Sequence, residues 1–352
     1  MGNIKIHSKY RLFALFSIFY LVTGMLFAEN IPIETDYENC QINSTIKPST
    51  TTLNIVTSIT IIQDIVTDII GQDVDVIVSG AEDPHSYEPT SSEVSALENA
   101  DIIFRMGIDD LEPWWRSGWE DSVVVKLVDP LMIKIDPLLG FANPHVWMDP
   151  NNVINFTNKI NNTLWDNEPL QSNKWIFSNN TEKYINTLDL LLVEIENARS
   201  IFQGIKLVVN HPSFFYLFQE SLLNVSRIAT IEKGEGQEPS AKDMANVITL
   251  MKQQNCHLIV TNPQRETENV YEIARETNSK IALLTPLLNV DVKWNGNDVT
   301  IENYTQMIEF DIWALAHPLD PPPILDLWLI ILIIGLSIAI IFIIGIILRR
   351  RR

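Results

Sequence analysis

Along the chain, short continuous apolar runs alternate with stretches in which apolar residues return every three or four positions. The first pattern suits strands covered on both faces and the second suits amphipathic helices, so their alternation predicts an α/β fold. "TLNIVTSI" reads as a strand, and "TIIQDIVTDII" as the helix after it, stopped by Gly71. "VDVIVSG" is the next strand. It runs into the proline-pinned turn "DPHSYEP" and then into "TSSEVSALENA", where Thr90 and Glu93 stand at capping-box spacing and mark a helix start. "DIIFRMG" and "SVVVKLV" complete a first lobe. The second half repeats the style with strand "KLVVNH", helix "SFFYLFQESLL", strand "VSRIATI" and helix "SAKDMANVITLMKQQN". Strand "CHLIVTN", helix "ETENVYEIARETN", strand "KIALLTP" and a last helix, "IENYTQMIEFDIWALAH", follow.

Between the halves, "SNNTEKYINTLDLLLVEIENARSIFQ" carries Tyr184, Leu188, Leu191, Leu192, Ile195 and Phe202 on one side and contains no Gly or Pro. It reads as a single helix over 178–203, a stiff connector between an N-terminal lobe (51–177) and a C-terminal lobe (204–317). The ends add more. Lys9 and Arg11 precede an apolar run that closes on small residues, which predicts a signal peptide over 1–28, followed by a Ser/Thr-rich leader over 29–50. Residues 327–348 carry no charge and are followed by four arginines, 349–352. A helix of that length rises about 33 Å, enough to cross a bilayer's hydrocarbon core. Terminal arginines belong on the cytoplasmic side. The expected fold class is therefore α/β, two Rossmann-like lobes joined by a long rigid helix, plus one C-terminal transmembrane helix. The expected placement is a single pass through the cell membrane, with the N-terminal domain extracellular, a proline-rich spacer at 318–326 and the C-terminus cytoplasmic.

The net charge of −19 argues against nucleic acid as a partner, because that needs a basic footprint. An acidic surface mildly favours cations nearby, and a monomer is expected. Six sequons (Asn43, Asn155, Asn161, Asn179, Asn224, Asn303) fit an exported chain, with their glycosylation left open. Of the two cysteines, Cys256 opens the apolar run "CHLIVTN" and reads as a buried thiol; a Cys40–Cys256 disulfide also stays open.

There are six histidines. His7 lies before the signal's apolar segment, His257 inside a strand, and His317 at the end of the last helix, where an imidazolium favours the helix dipole. The other three share a setting. His85 and His211 follow strands, and His145 lies just before a helix start with Asp149 as N-cap and Pro150 at the first helical position. Loops beyond the carboxyl ends of parallel strands face the ligand crevice, so the three can meet in one cleft. Neutral imidazoles suit Zn²⁺ best among the abundant divalent ions. Spacing alone does not decide between a shared site and three separate turn residues.

The flanking residues do distinguish them. "DPHSYEP", "NPHVWMDP", "VVNHPSFFYLF" and "EPSAKD", in that order, resemble the motifs of the zinc/manganese-type solute-binding proteins of ABC metal importers, and the resemblance spans 52–317. It implies a receptor that holds one transition-metal ion between its lobes and hands it to an ABC permease in the membrane. It places His85, His145 and His211 on the family's first three ligands. A His rather than a Glu at the third implies Zn²⁺, with Mn²⁺ or Fe²⁺ as alternatives. The family's fourth ligand is usually an Asp, and Thr285 stands there. A water held at Thr285, or the carboxylate of Glu82 or Asp83, then completes the tetrahedron, with weaker binding and less discrimination among metals expected. Asp83, Tyr87, Glu88 and Asp149 are the expected second-layer partners. Asn262 stands where a Glu is common, and "DDLEPWWRSGWEDS" offers packing tryptophans where many zinc-type members carry a His-rich loop.

Three imidazoles and a water also form a hydrolytic zinc site. Here no general base and oxyanion donor are evident, Glu235 and Glu238 being merely loop residues, so no enzyme activity is expected. A surface adhesion role with the metal as a structural staple is the remaining class.

Overall fold

The computed structural model describes residues 53–323 apart from 81, 117, 120–121, 235–236 and 266. In the first lobe, β1 (Ile55–Ile59), β2 (Asp75–Val78), β3 (Ile102–Arg105) and β4 (Val123–Lys126) form a parallel sheet in the order β2-β1-β3-β4. In the second, β5 (Lys206–Val209), β6 (Ser226–Thr230), β7 (Leu258–Thr261) and β8 (Lys280–Leu283) form another in the order β6-β5-β7-β8. The two sheets thus repeat one topology. In each, strand order reverses beside the first strand, which opens a crevice beyond the carboxyl ends.

Local chemistry sets the helices. Helix α1 (Thr60–Ile70) ends at Gly71, whose φ of 75° is the left-handed conformation a C-terminal stop needs. Helix α2 (Ser91–Glu98) begins with the Thr90–Glu93 capping box, both reciprocal bonds being present. Helix α3 (Pro150–Asp166) begins with Asp149 accepting from the Asn151 N–H. Helix α4 (Lys174–Phe202) is 29 residues long, about 43 Å at the usual rise, and buries Tyr184, Leu188, Leu191, Ile195 and Phe202. Its apolar stripe belongs to one continuous core that also contains β1, β3 and the inner face of β5, so the lobes share a packed interior. Val208 and Ile259 instead face a smaller core beneath α5 (Ala241–Gln254) and α6 (Glu268–Thr277). Cys256, a free thiol, lies in that second core. Cys40 lies outside the described residues.

Asp64 of α1 accepts from the Tyr184 hydroxyl of α4 at 2.8 Å and from the Tyr304 N–H of α7 (Tyr304–Ala316) at 3.1 Å. One carboxylate oxygen therefore joins both lobes to the connector. Burial pushes this carboxyl up to about 6.

Several sequence expectations change. "SFFYLFQESLL" is a 3₁₀ turn (Pro212–Phe214) followed by further turns, because Phe214, Tyr216, Leu217 and Phe218 are all buried and cannot share one helical face. A hairpin of β9 (Val290–Trp294) and β10 (Asn297–Ile301), closed by Asn295-Gly296, was not expected. The start of the proline-rich segment lies along the second sheet, with Leu319 pairing to Ile281.

The expected fold class is corrected in one element. Among the described residues no helix is long and apolar enough to cross a membrane. The longest, α4, carries Lys183, Asp189, Glu194 and Arg199 along its length. The segment 327–348 that was expected to span lies outside the described residues, as do the expected signal peptide and leader. The fold class is two α/β lobes joined by a long helix, and the C-terminal transmembrane helix is withdrawn from it.

Candidate metal centre

Each of the three motif histidines is fixed by its own turn. Pro84–Ser86 forms a 3₁₀ turn in which Asp83 Oδ1 accepts from the His85 N–H at 3.1 Å. His145 donates its N–H to Asn143 Oδ1 at 3.0 Å, and the next turn, Val146–Met148, is tied to the second lobe by Trp147 Nε1 donating to the Pro286 carbonyl at 2.8 Å. His211 lies two residues beyond the end of β5 and precedes Pro212. His145 and His211 are buried and His85 is half-buried.

The three rings converge. Nε2 of His145 lies 3.4 Å from Nε2 of His85 and 3.4 Å from Nε2 of His211. One ligand atom from each of the three falls within 4.8 Å of the others. Each Nδ1 faces an acceptor: the Asp110 carbonyl for His85 at 2.7 Å, Asn143 Oδ1 for His145 at 3.1 Å and Glu232 Oε2 for His211 at 3.1 Å. An Nδ1–H donated to these acceptors leaves each Nε2 lone pair directed at the common point. Burial, then the neighbouring His211, His85 and Arg265, hold the His145 pKa well below its ordinary value, so this imidazole is neutral at physiological pH.

The rings line a cavity of about 30 Å³ together with Asp83, Asn262 and Arg265. That space accepts one small ion and a water, and is too small for an organic chelate. His85 also borders a larger open groove of about 870 Å³, so this ligand marks the solvent side of the centre.

The other expected site residues sit differently. Thr285 is fully buried and is absent from the cavity wall. Its hydroxyl donates to the Leu287 carbonyl at 3.0 Å, and its N–H donates to Asp311 at 2.7 Å. Glu82 is exposed, and Asp83 pairs with Arg265. Tyr87 donates to Glu93 at 2.9 Å, Glu88 lines the outer groove and Asp149 caps α3. Asp110, Asn143 and Glu232 face the ring nitrogens, while Asp83, an expected second-layer partner, holds the His85 N–H. Asn143 opens the motif "NPHVWMDP", and the roles of Asp110 and Glu232 have no signal in local sequence. Asn262, noted as a departure from the family pattern, does line the cavity, and its Oδ1 is buried with no hydrogen-bond partner. The tryptophans of "DDLEPWWRSGWEDS" pack together, with Trp115 and Trp119 edge to face at 4.9 Å and the Arg105 guanidinium 4.0 Å from the Trp115 ring.

With this geometry in place, similarity to known proteins is informative. The family model for ZnuA, the periplasmic component A of a zinc-uptake complex, matches residues 55–317. The iron-binding protein YfeA of Yersinia pestis is 24% identical over 317 residues, which cover 87% of this chain and 94% of that protein. The manganese ABC transporter substrate-binding lipoprotein PsaA of Streptococcus mitis is 24% identical over 283 residues, 76% of this chain and 89% of its own. A crystal structure of ZnuA superposes with a TM-score of 0.62 at 24% identity, covering 75% of this chain and 97% of that one. PsaA is named a lipoprotein, a different mode of membrane attachment. The expected single-pass placement, with an extracellular domain and a cytoplasmic C-terminus, is accordingly corrected.

Proposed function

The chain belongs to the ZnuA family of metal-binding, substrate-binding proteins of ABC transporters, which are not enzymes, and we propose that it captures zinc between its lobes for delivery to a membrane permease. The observation that carries this reading is the convergence of the His85, His145 and His211 Nε2 atoms, with every Nδ1 facing an acceptor. No carboxylate joins that ligand set among the described residues. Three imidazole nitrogens favour Zn²⁺ over the harder Mn²⁺, which prefers oxygen, and Zn²⁺ also stands above Fe²⁺ in the general affinity order of the divalent ions. The fourth position falls to water or to the Asn262 amide on the same wall.

The test is metal content and competition titration of the purified protein with zinc, manganese and iron(II) against a chelator. One equivalent of zinc held more tightly than manganese or iron(II) is the expected result. Preference for manganese would move the reading to a manganese receptor, and no stoichiometric metal would overturn it.

A further inference from the structure

A chain of contacts runs between ligands of opposite lobes through a single side chain. Arg265 follows β7 of the second lobe, and its backbone is fixed: its N–H donates to the Asn262 carbonyl at 3.0 Å, and its own carbonyl accepts from Asn210 Nδ2 at 2.9 Å and Thr261 Oγ1 at 3.2 Å. One arm of the guanidinium, Nη1, meets Glu232 Oε2 at 2.7 Å, the oxygen that faces His211 Nδ1. The other arm, Nη2, pairs with Oδ2 of Asp83 in the first lobe, whose Oδ1 holds the His85 N–H. Arg265 and Glu232 are largely buried, at 16% and 12% exposure, so the arm to Glu232 is weakly screened by solvent, whereas Asp83, at 36%, leaves the cross-lobe arm partly open to it.

We propose that Arg265 is a positioning residue that couples the two lobes' metal ligands, so that releasing the metal requires its cross-lobe pair with Asp83 to break. This inference rests on the zinc-capture reading above and adds to it what sets the release rate. Local electrostatics gives the opposite expectation. Two carboxylates and one guanidinium leave one net negative charge beside the ion, and removing the guanidinium leaves two. If Arg265 acted only as a nearby cation, its removal would tighten binding. If it acts as a coupler, its removal speeds release. Lysine keeps the charge and loses the planar fork, so it separates the two roles.

The experiment is stopped-flow transfer of zinc from the loaded full-length protein to excess chelator, for the parent, Arg265→Gln, Arg265→Lys and Asp83→Asn. A parallel visible spectrum of the Co²⁺ forms reports the ligand set. Release about tenfold faster or more in Arg265→Gln and Asp83→Asn, a smaller gain in Arg265→Lys and an unchanged Co²⁺ spectrum are expected. Unchanged or slower release in the glutamine variant overturns the proposal. Should that variant fail to fold, Arg265→Lys carries the test, because it keeps the charge and loses the fork: faster release supports coupling, and an unchanged rate overturns it. A parent that binds no metal sinks the zinc-capture reading and this inference with it. A parent that binds, with variants releasing at its rate, sinks only this one.

Discussion

The two lobes repeat one strand order, yet they hold their imidazoles with different chemistry. The first lobe supplies two rings, each backed by a neutral oxygen: a backbone carbonyl for His85 and an amide for His145. The second supplies one ring backed by the Glu232 carboxylate, which is itself paired with Arg265. A carboxylate behind an imidazole raises its basicity more than a neutral acceptor does. The number of ligands and the strength of each are thus divided between the lobes. The first lobe sets most of the geometry, and the second concentrates the charge.

Substitutions can break this contrast. His145 is the ring that the other two both approach, so His145→Ala should weaken zinc binding by about a thousandfold or more, measured by chelator competition, without unfolding the protein. Glu232→Gln should cost less, about ten- to a hundredfold in affinity, because the ligand stays and only its backing charge is lost. Equal affinity in the glutamine variant would show that the second lobe's charge does not reach the ion.

The smallest effect concerns the junction where the lobes meet. Asp64, its carboxyl pushed up to about 6 by burial, favours folding most when protonated. Its contribution is fully present below about pH 3.8, the unfolded value, and is lost as pH rises through about 6. Asparagine can accept the same two bonds without a buried charge. Asp64→Asn should therefore gain on the order of 1 kcal/mol at pH 7, after allowance for partial exposure, and lose its advantage near pH 4. Thermal melts across that range check it, and a variant less stable than the parent at pH 7 would show that the charge itself is needed.

Much of this arrangement was legible in the sequence, and the parts that were not have physical reasons. The Thr90–Glu93 box, the Gly71 stop and the Asp149-Pro150 start are local chemistry, and the structure carries each where it was read. The convergence of three distant histidines was an expectation from loops that share one end of a parallel sheet, and the rings do meet. Asn143 stands two residues from His145 in its motif, whereas what holds the His211 and His85 rings was not legible, because Glu232 lies 21 residues from His211 and the Asp110 carbonyl lies 25 from His85. Neither spacing has a periodicity to read. Thr285 was placed by its position in a motif, whereas its hydroxyl and N–H are engaged within the second lobe. The β9–β10 hairpin did leave a signal, the Asn-Gly pair at 295–296 between alternating residues, which the strand-and-helix rhythm of the preceding segments obscured.

Trp147 is almost wholly buried, and its ring centroid stands 5.2 Å from that of His145. An indole's emission depends on the charge and polarisability of what it touches, and here it touches the ring at the middle of the ligand set. The molecule thus contains its own optical gauge: occupancy can be followed by fluorescence without a label, and loss of the signal in Trp147→Phe would identify which of the nine tryptophans reports it.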